Sequence, residues 1–285
     1  MEQDEKLINK IKKGLIKSGF PLEMKVSKIL KKNGWNHSMS NYYLDFEANV
    51  YREYDIHAGK TINGINVTLF IECKKSDEKQ VILYSPQNKK FLPFMDIYFK
   101  AFPKFPKYQD YIPDEKSQKE AFIKLPILDK QYRLSTGIIF SKGEKIEQDN
   151  SSFFGSIIGL IKQSIMTGYD GLIDTNFRMI FLYLIVFDGY MYELAPSEDD
   201  DFSLKEIEYG QYSYEYHFKP KVDYDVINQA FVKHLSEYGT HYVIELLRPS
   251  HLESYIAQIE NVLNNLNKDK IKRWGQDWPK INPTS

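Results

Sequence analysis

The sequence predicts an α/β protein in which helices precede and follow a mixed central β-sheet, with an α+β arrangement as the alternative. Apolar residues recur at helical spacing near both ends of the chain and once in its middle, whereas strand-like stretches lie between them. The 285 residues are 42% hydrophobic, which is enough to bury a large core. Because no repeat or long low-complexity linker divides the chain, we expect one domain over residues 1–285.

Four segments have the apolar spacing of helices. The second of them starts at Pro21, a residue favoured in a first helical turn, and stops at Asn33-Gly34. The four predicted helices cover residues 5–17, 21–34, 151–167 and 251–266. Residues 1–20 then form an N-terminal helical segment, and residues 20–80 form the core motif region. Residues 268–285 form a tail.

Strands are predicted where apolar residues alternate or run continuously. The first two stretches join through a turn around the sequence GKTING, and a later pair joins through the hairpin signal Asp188-Gly189. The predicted strands are residues 42–58, 67–74, 178–187, 190–194, 209–218 and 241–247. Together they supply a mixed sheet between the helices.

An irregular insertion is predicted over residues 85–115, because five prolines interrupt any regular helix or strand pattern there. The insertion alternates aromatic residues with lysines, a combination suited to base stacking and phosphate neutralisation. Two interpretations stay open: a nucleic-acid-binding segment, or a lid whose aromatic rings cover the core while its lysines remain in water. On the first interpretation, the residues that bind nucleic acid are Lys89, Lys90, Lys100, Lys104 and Lys107.

Charge and cysteine content exclude several classes of protein. The net charge of −1 rules out a globally basic nucleic-acid coat, and the single cysteine rules out an intrachain disulfide or a CxxC metal site. The charged N-terminal residues lack the apolar core of a signal peptide, and the longest apolar run, residues 179–187, is too short to span a membrane. We therefore expect a cytoplasmic protein with no membrane partner.

The candidate catalytic and metal-binding residues cluster in residues 50–76. Alternate residues of a strand share a face, so Glu72 lies beside Lys74, and Glu53 lies beside Asp55. A carboxylate that directly follows an apolar run, as Glu72 does, is costly to bury unless something compensates its charge. Two carboxylates and a backbone carbonyl, that of Cys73, offer the hard oxygen ligands that Mg²⁺ prefers. Lys74 beside such a metal would orient or deprotonate an attacking water.

This pattern resembles the PD-(D/E)XK nuclease superfamily, in particular its Mrr-like, restriction-endonuclease-like members. The resemblance rests on Asp55 in YREYDIHA, on the ECK triplet of residues 72–74, and on Glu23 in the preceding helix segment GFPLE. It covers residues 20–76. The proline that names the superfamily does not precede Asp55.

The resemblance implies a restriction-endonuclease-like core and an Mg²⁺- or Mn²⁺-dependent DNA endonuclease, with RNA as an open alternative substrate. It assigns metal binding to Asp55 and Glu72, catalysis to Lys74, and completion of the site to Glu23, in part through water. It also implies a role in defence against foreign DNA or in DNA repair, and leaves room for a homodimer. Lys162 and Gln163 are candidates for a fifth catalytic residue.

Each residue also has a purely structural interpretation. Glu23 in a first helical turn interacts favourably with the helix dipole, and Asp55 could begin a turn. Glu72 and Lys74 could form an ion pair on an edge strand. Two further functions therefore stay open: an inactive nuclease fold that binds nucleic acid, and a subunit that binds another protein.

Overall fold

The computed structural model describes residues 2–84, 134–147, 150–171, 179–196, 202–217 and 240–265. Within these ranges the chain forms four helices and two β-sheets. The helices are α1 (Glu2–Lys17), α2 (Phe20–Lys32), α3 (Ser151–Gly171) and α4 (Leu252–Asn264). The strands are β1 (Asn36–Asp45), β2 (Val50–Ile62), β3 (Ile65–Lys75), β4 (Gln80–Tyr84), β5 (Leu134–Ser135), β6 (Gly137–Lys142), β7 (Lys145–Glu147), β8 (Met179–Asp188), β9 (Met191–Pro196), β10 (Phe202–Glu206), β11 (Tyr209–Tyr216) and β12 (Thr240–Leu247).

The larger sheet has seven strands in the order β1-β2-β3-β8-β12-β11-β5. β1, β2 and β3 form an antiparallel meander, whereas β3 with β8 and β8 with β12 are parallel. β11 runs antiparallel to β12 and parallel to β5. Parallel neighbours need a crossover connection, and α3 lies in the one between β3 and β8. The predicted α/β class with a mixed sheet is therefore confirmed.

The smaller sheet has five strands in the order β10-β9-β4-β6-β7, of which only β4 and β9 pair in parallel. One hydrophobic cluster joins residues of both sheets with the apolar faces of α2, α3 and α4. Phe140 of β6, for example, packs on Phe153 of α3, which in turn contacts Phe187 of β8. Sequence periodicity predicted neither this sheet's central strand β4 nor β6.

Helices cover both faces of the larger sheet. Residues 67–71 of β3 are all buried, a pattern typical of strands packed on both sides. α2 and α4 contact each other on one face, where the Trp35 indole N–H donates to Glu260 Oε1 at 2.8 Å. α3 covers the other face. All four predicted helices are confirmed, and α2 ends as expected, with Gly34 in the left-handed region at φ 71°.

The prediction of one strand over residues 42–58 is wrong, because a tight turn divides it. Asp45 at the end of β1 accepts hydrogen bonds from the amides of Glu47 at 3.0 Å and Ala48 at 3.2 Å. Asn49 then takes a positive φ of 55°, and the chain reverses into β2. The turn within GKTING is confirmed: Asn63 and Gly64 have φ of 51° and 77°, as a type I′ hairpin requires.

The predicted hairpin at Asp188-Gly189 is also wrong. Both edges of β8 are occupied, by β3 and by β12, so the next strand cannot pair with β8. β9 instead enters the smaller sheet between β4 and β10. Gly189 allows this exit, because a Cβ there would lie 2.6 Å from the Phe187 ring and 2.9 Å from the carbonyl oxygen of Ser76.

The predicted insertion at residues 85–115 and the tail at residues 268–285 lie outside the described residues. So do the lysines proposed there for nucleic-acid binding. In the part of the chain that is described, no helix is both long and apolar enough to cross a membrane.

A buried carboxyl group lies under α4. Glu245 of β12 accepts hydrogen bonds from the Tyr209 hydroxyl at 2.6 Å and from the Gln211 amide at 3.0 Å. Burial raises the pKa of Glu245 to about 7, although both hydrogen bonds oppose the shift. The carboxyl group is therefore held by neutral donors.

Candidate active site

The sequence-predicted residues Glu23, Asp55, Glu72 and Lys74, here called the acid–lysine site, meet where β2 and β3 separate. The ladder between these strands ends at Ile56 paired with Ile71, just before Asp55 and Glu72. Beyond that point the Asp55 carboxylate replaces the missing ladder bond, because its Oδ2 accepts the amide N–H of Cys73 at 2.7 Å. Opposite Asp55, β1 is distorted at Ser40, which takes a positive φ of 47°.

Glu72 and Lys74 lie near the C-terminal end of β3 and share one face, as predicted. Their charged atoms are 3.4 Å apart, and Glu72 is the more deeply buried of the two, with 12% of its side chain exposed against 31% for Lys74. β3 runs between β2 and β8, so the interpretation of this pair as an ion pair on an edge strand is wrong. Lys74 therefore partly neutralises a carboxylate in the interior of the sheet.

Glu23 joins the site from α2, in that helix's first turn. The N-cap residue of this helix is Gly19, which has no side chain to cap it. Burial, followed by the charges of Asp55 and Glu53, raises the pKa of Glu23, while Lys74 opposes the shift. Because a helix dipole alone would lower the pKa of an acid at this position, burial together with the neighbouring carboxylates outweighs the dipole.

Among the three acids, the pKa rises most at Glu72. Burial, and then the charge of Asp55, raise the pKa of Glu72 to about 7, while Lys74 and a hydrogen bond from Ser156 oppose the shift. Burial also raises the pKa of Asp55, against the effects of the Cys73 amide and Lys74. The site thus holds three acids against one lysine, an excess of negative charge that a cation would relieve.

The acids fit a divalent cation by their chemistry and charge. Carboxylate oxygens are the ligands that Mg²⁺ and Mn²⁺ prefer, and here Asp55, Glu72 and Glu23 supply them. Among the described residues, no three His, Cys, Asp or Glu side chains are already gathered as metal ligands. One Asp55 oxygen is engaged by the Cys73 amide, so a bound ion would take the other oxygen or displace that bond. The role of the Cys73 carbonyl stays a prediction.

Cys73 itself is buried on the opposite side of β3 from Glu72 and Lys74. Burial, and then the surrounding carboxylates, raise the pKa of its thiol well above the usual range. The side chain therefore remains a neutral thiol, and the residue contributes only its backbone to the site.

Lys162 and Gln163 do not join the acid–lysine site. The Lys162 ammonium lies 2.9 Å from Asp45 Oδ2 and 2.8 Å from Glu47 Oε2. Asp45, which is fully buried, also binds Arg52 at 2.6 Å, and Glu47 accepts a hydrogen bond from the Tyr216 hydroxyl. We call these five residues, Asp45, Glu47, Arg52, Lys162 and Tyr216, the Asp45 network. Gln163 is buried, and its Nε2 has no hydrogen-bond partner among the described residues.

The Asp45 network fixes the tip of the β1–β2 hairpin over α3. It joins the hairpin, the helix and β11, three elements far apart in sequence. The sequence DFEAN at residues 45–49 is typical of this turn. Its Asp can accept hydrogen bonds from amides within the turn, and its Asn tolerates a positive φ. The partner Lys162 had no signal in the sequence.

Sequence reasoning also missed Ser156. This residue is buried on α3, where its hydroxyl donates to the carbonyl oxygen of Ser152 at 3.2 Å and lies close enough to Glu72 to lower the pKa of that carboxyl group. Because one hydroxyl proton serves two acceptors, the serine can turn toward Glu72 whenever that carboxylate is ionised. A serine in an apolar helix face gives no sign of this role.

We expect Ser156→Ala to weaken divalent metal binding about tenfold, the usual effect of removing a group that orients a metal ligand. The reason is that Glu72 would lose the donor that fixes its rotamer. Titration of the protein with Mn²⁺ by isothermal calorimetry measures the change. Ser164→Ala is the matched control, because Ser164 is buried in the same helix and, among the described residues, donates to Ile161 O at 2.8 Å rather than to a carboxylate. Equal affinities of the two variants would contradict the assignment.

Comparison of the chain with protein-family models, curated proteins and solved structures gives no match. The function of the chain is therefore inferred from its residues and their geometry.

Proposed function

We propose that this protein is an Mg²⁺- or Mn²⁺-dependent nuclease that hydrolyses phosphodiester bonds of DNA, built on a restriction-endonuclease-like core. One observation carries the proposal: Glu23, Asp55, Glu72 and Lys74, from three different elements, lie together at one end of β3, where the charge of Lys74 acts on the pKa of all three acids and the charge of Asp55 acts on the pKa of Glu23 and Glu72. Isolated ion pairs do not need three acids around one lysine. A site that binds a cation beside a phosphate does.

In this proposal Asp55 and Glu72 hold the metal, and Glu23 contributes directly or through a water. A bound divalent ion would polarise the phosphodiester and lower the pKa of a water molecule. Lys74, 3.4 Å from Glu72, positions the attacking water and offsets the charge that develops on the phosphate. Ser156 and the Cys73 amide orient Glu72 and Asp55 respectively.

The test of the proposal is cleavage by the purified full chain. Supercoiled plasmid, single-stranded circular DNA and RNA are incubated with Mg²⁺, Mn²⁺ or EDTA, and the products are separated on gels. We expect cleavage of DNA with either metal and none with EDTA. Absence of cleavage with every metal would refute the proposal. Gel-shift assays on the same samples then distinguish a protein that binds nucleic acid without cutting it from one that binds no nucleic acid.

Metal affinity should depend on pH around neutrality. Because the pKa of Glu72 is about 7, a proton must leave this group before the carboxylate binds a cation. The dissociation constant for Mn²⁺ should therefore increase about tenfold for each pH unit below 7 and level off above it. Calorimetric titrations from pH 5.5 to 8.5 measure the profile. Glu72→Gln should bind weakly at every pH, and a flat profile for the wild type would contradict the expectation.

A further inference from the structure

Two exposed tyrosines lie on the β1–β2 hairpin that leads to Asp55. Tyr42 has 61% of its surface exposed and Tyr51 has 74%, whereas the adjacent Tyr43 and Tyr54 are buried. Alternation along the strands therefore turns Tyr43 and Tyr54 inward and the exposed tyrosines outward. We call Tyr42 and Tyr51 the tyrosine pair.

The register of the hairpin brings the tyrosine pair together. Tyr42 is opposite Glu53, and Tyr51 lies two residues before Glu53 on the same strand. Such diagonal neighbours on one face are about 7–8 Å apart. This separation is about twice the ~3.4 Å rise of stacked bases, so one base has room between the two rings.

The tyrosine pair is continuous with the acid–lysine site. Tyr51, Glu53 and Asp55 occupy alternate positions of β2, and Glu53 is close enough to Asp55 and Glu23 to raise the pKa of both. At about 3.3 Å per residue, Tyr51 lies about 13 Å from Asp55 along the strand. A nucleic-acid strand with a phosphate at Asp55 would thus place a nearby base at the rings.

The charges on the two sides of the site indicate which side of a bound nucleic-acid strand faces which element. The outer face of the hairpin carries the acid Glu53, while Arg52 is turned inward to Asp45 at 2.6 Å. On the other side of the site, the end of α1 lies against β3, and the Lys75 ammonium contacts the carbonyl oxygen of Ile16 in α1 at 3.5 Å. One turn earlier, α1 carries Lys12 and Lys13, both exposed. Phosphates would therefore face α1, and bases would face the hairpin.

We propose that the tyrosine pair is a stacking site for unpaired bases, which makes single-stranded DNA, or a duplex with unpaired ends, the substrate class of this site. In an intact duplex the faces of the bases are covered by their neighbours, so rings on a hairpin cannot reach them. Unpaired bases offer both faces, and aromatic side chains bind them with little sequence preference. This inference rests on the proposed nuclease function for its substrate but not for its test.

The test measures binding without cleavage. A fluorescein-labelled 15-nucleotide single strand and the corresponding duplex are titrated with the full chain in EDTA, and anisotropy gives the dissociation constants. We expect the wild type to bind the single strand at least about tenfold more tightly than the duplex, since each stacked base contributes appreciably. Tyr51→Ala and Tyr42→Ala should each lose about tenfold for the single strand and little for the duplex.

Tyr51→Phe separates stacking from other roles, because it keeps the ring and loses only the hydroxyl; it should bind like the wild type. Tyr190→Ala, which removes an exposed tyrosine between β8 and β9, is the control and should also bind like the wild type. Equal binding of single strand and duplex, unchanged binding by Tyr51→Ala, or no binding of DNA would each overturn the inference. Ring-dependent binding without metal-dependent cleavage would instead refute only the nuclease proposal.

Discussion

Lys74→Ala should reduce metal-dependent DNA cleavage about 10³-fold while leaving the fold intact, as expected when a group that stabilises transition-state charge is removed. Lys74 is the only lysine that faces Glu72 within the described part of β3, so no other residue of that strand can take over its role. Initial rates on plasmid with Mg²⁺, measured for both proteins at equal concentration, give the ratio.

Lys75→Ala is the matched control for this experiment. Lys75 is the next residue of β3, points to the opposite face, and makes two long contacts, with Asp77 at 3.8 Å and with the Ile16 carbonyl oxygen at 3.5 Å. Its removal should leave the cleavage rate within about threefold of the wild type, because it loses one phosphate contact at most. Thermal melting of both variants checks the fold. If Lys74→Ala cleaves as fast as Lys75→Ala, the catalytic assignment is wrong.

Lys162→Met should destabilise the folded protein by about 3 kcal/mol, the lower end of the cost of removing one partner from a buried ion pair. Lys162 reaches both Asp45 and Glu47, and among the described residues Arg52, which is half exposed, would be the only cation left beside the buried Asp45. Methionine nearly fills the volume of the lysine stem, so a cavity contributes little to the loss. Urea unfolding followed by circular dichroism measures the change in the free energy of unfolding.

The control for Lys162 is a surface ion pair. Lys32→Ala removes the contact with Glu253 at 2.6 Å, in which both side chains are largely exposed, and should cost no more than about 1 kcal/mol.

The stability that the Asp45 network provides should also depend on pH. Burial opposes the shift, but hydrogen bonds from Lys162, Arg52 and the Ala48 amide lower the pKa of Asp45 overall, so this group stabilises the fold above its unfolded pKa. That stability is lost as the pH falls through the lowered value. A loss below 1 kcal/mol in Lys162→Met would contradict the role assigned to the network.

The sequence predicted those parts of the structure that local patterns control. Helical spacing located α2, α3 and α4, and the continuous apolar run of β8 located a strand buried on both faces. Asp55, Glu72 and Lys74 could be singled out because acids are unfavourable inside apolar strands unless a site requires them. Strand partners followed no local pattern. The sequence Asp188-Gly189 is typical of a hairpin turn, but β8 already pairs with β3 and β12, so β9 cannot pair with it.

The remaining features depend on contacts between residues distant in sequence. Ser156 meets Glu72 only because α3 packs across the end of β3, and Lys162 meets Asp45 only because the β1–β2 hairpin bends over the same helix. Neither residue has an unusual neighbour in the chain. The exposure of Tyr42 and Tyr51 likewise depends on tertiary packing, since the nearby Tyr43 and Tyr54 are buried.

The parallel pairing of β3 with β8 determines when the candidate site can form during synthesis. Asn66 pairs with Met179 and Lys75 with Asp188, so a ribosome must extend the chain far beyond β3 before its neighbour exists. Until then Glu72 and Lys74 lie on an apolar strand with an open edge, which exposes the nascent chain to misfolding and aggregation. Contacts of such high sequence separation also slow folding. We therefore expect the site to appear late, after β8 has left the ribosome, and expression at lower temperature to increase the soluble yield.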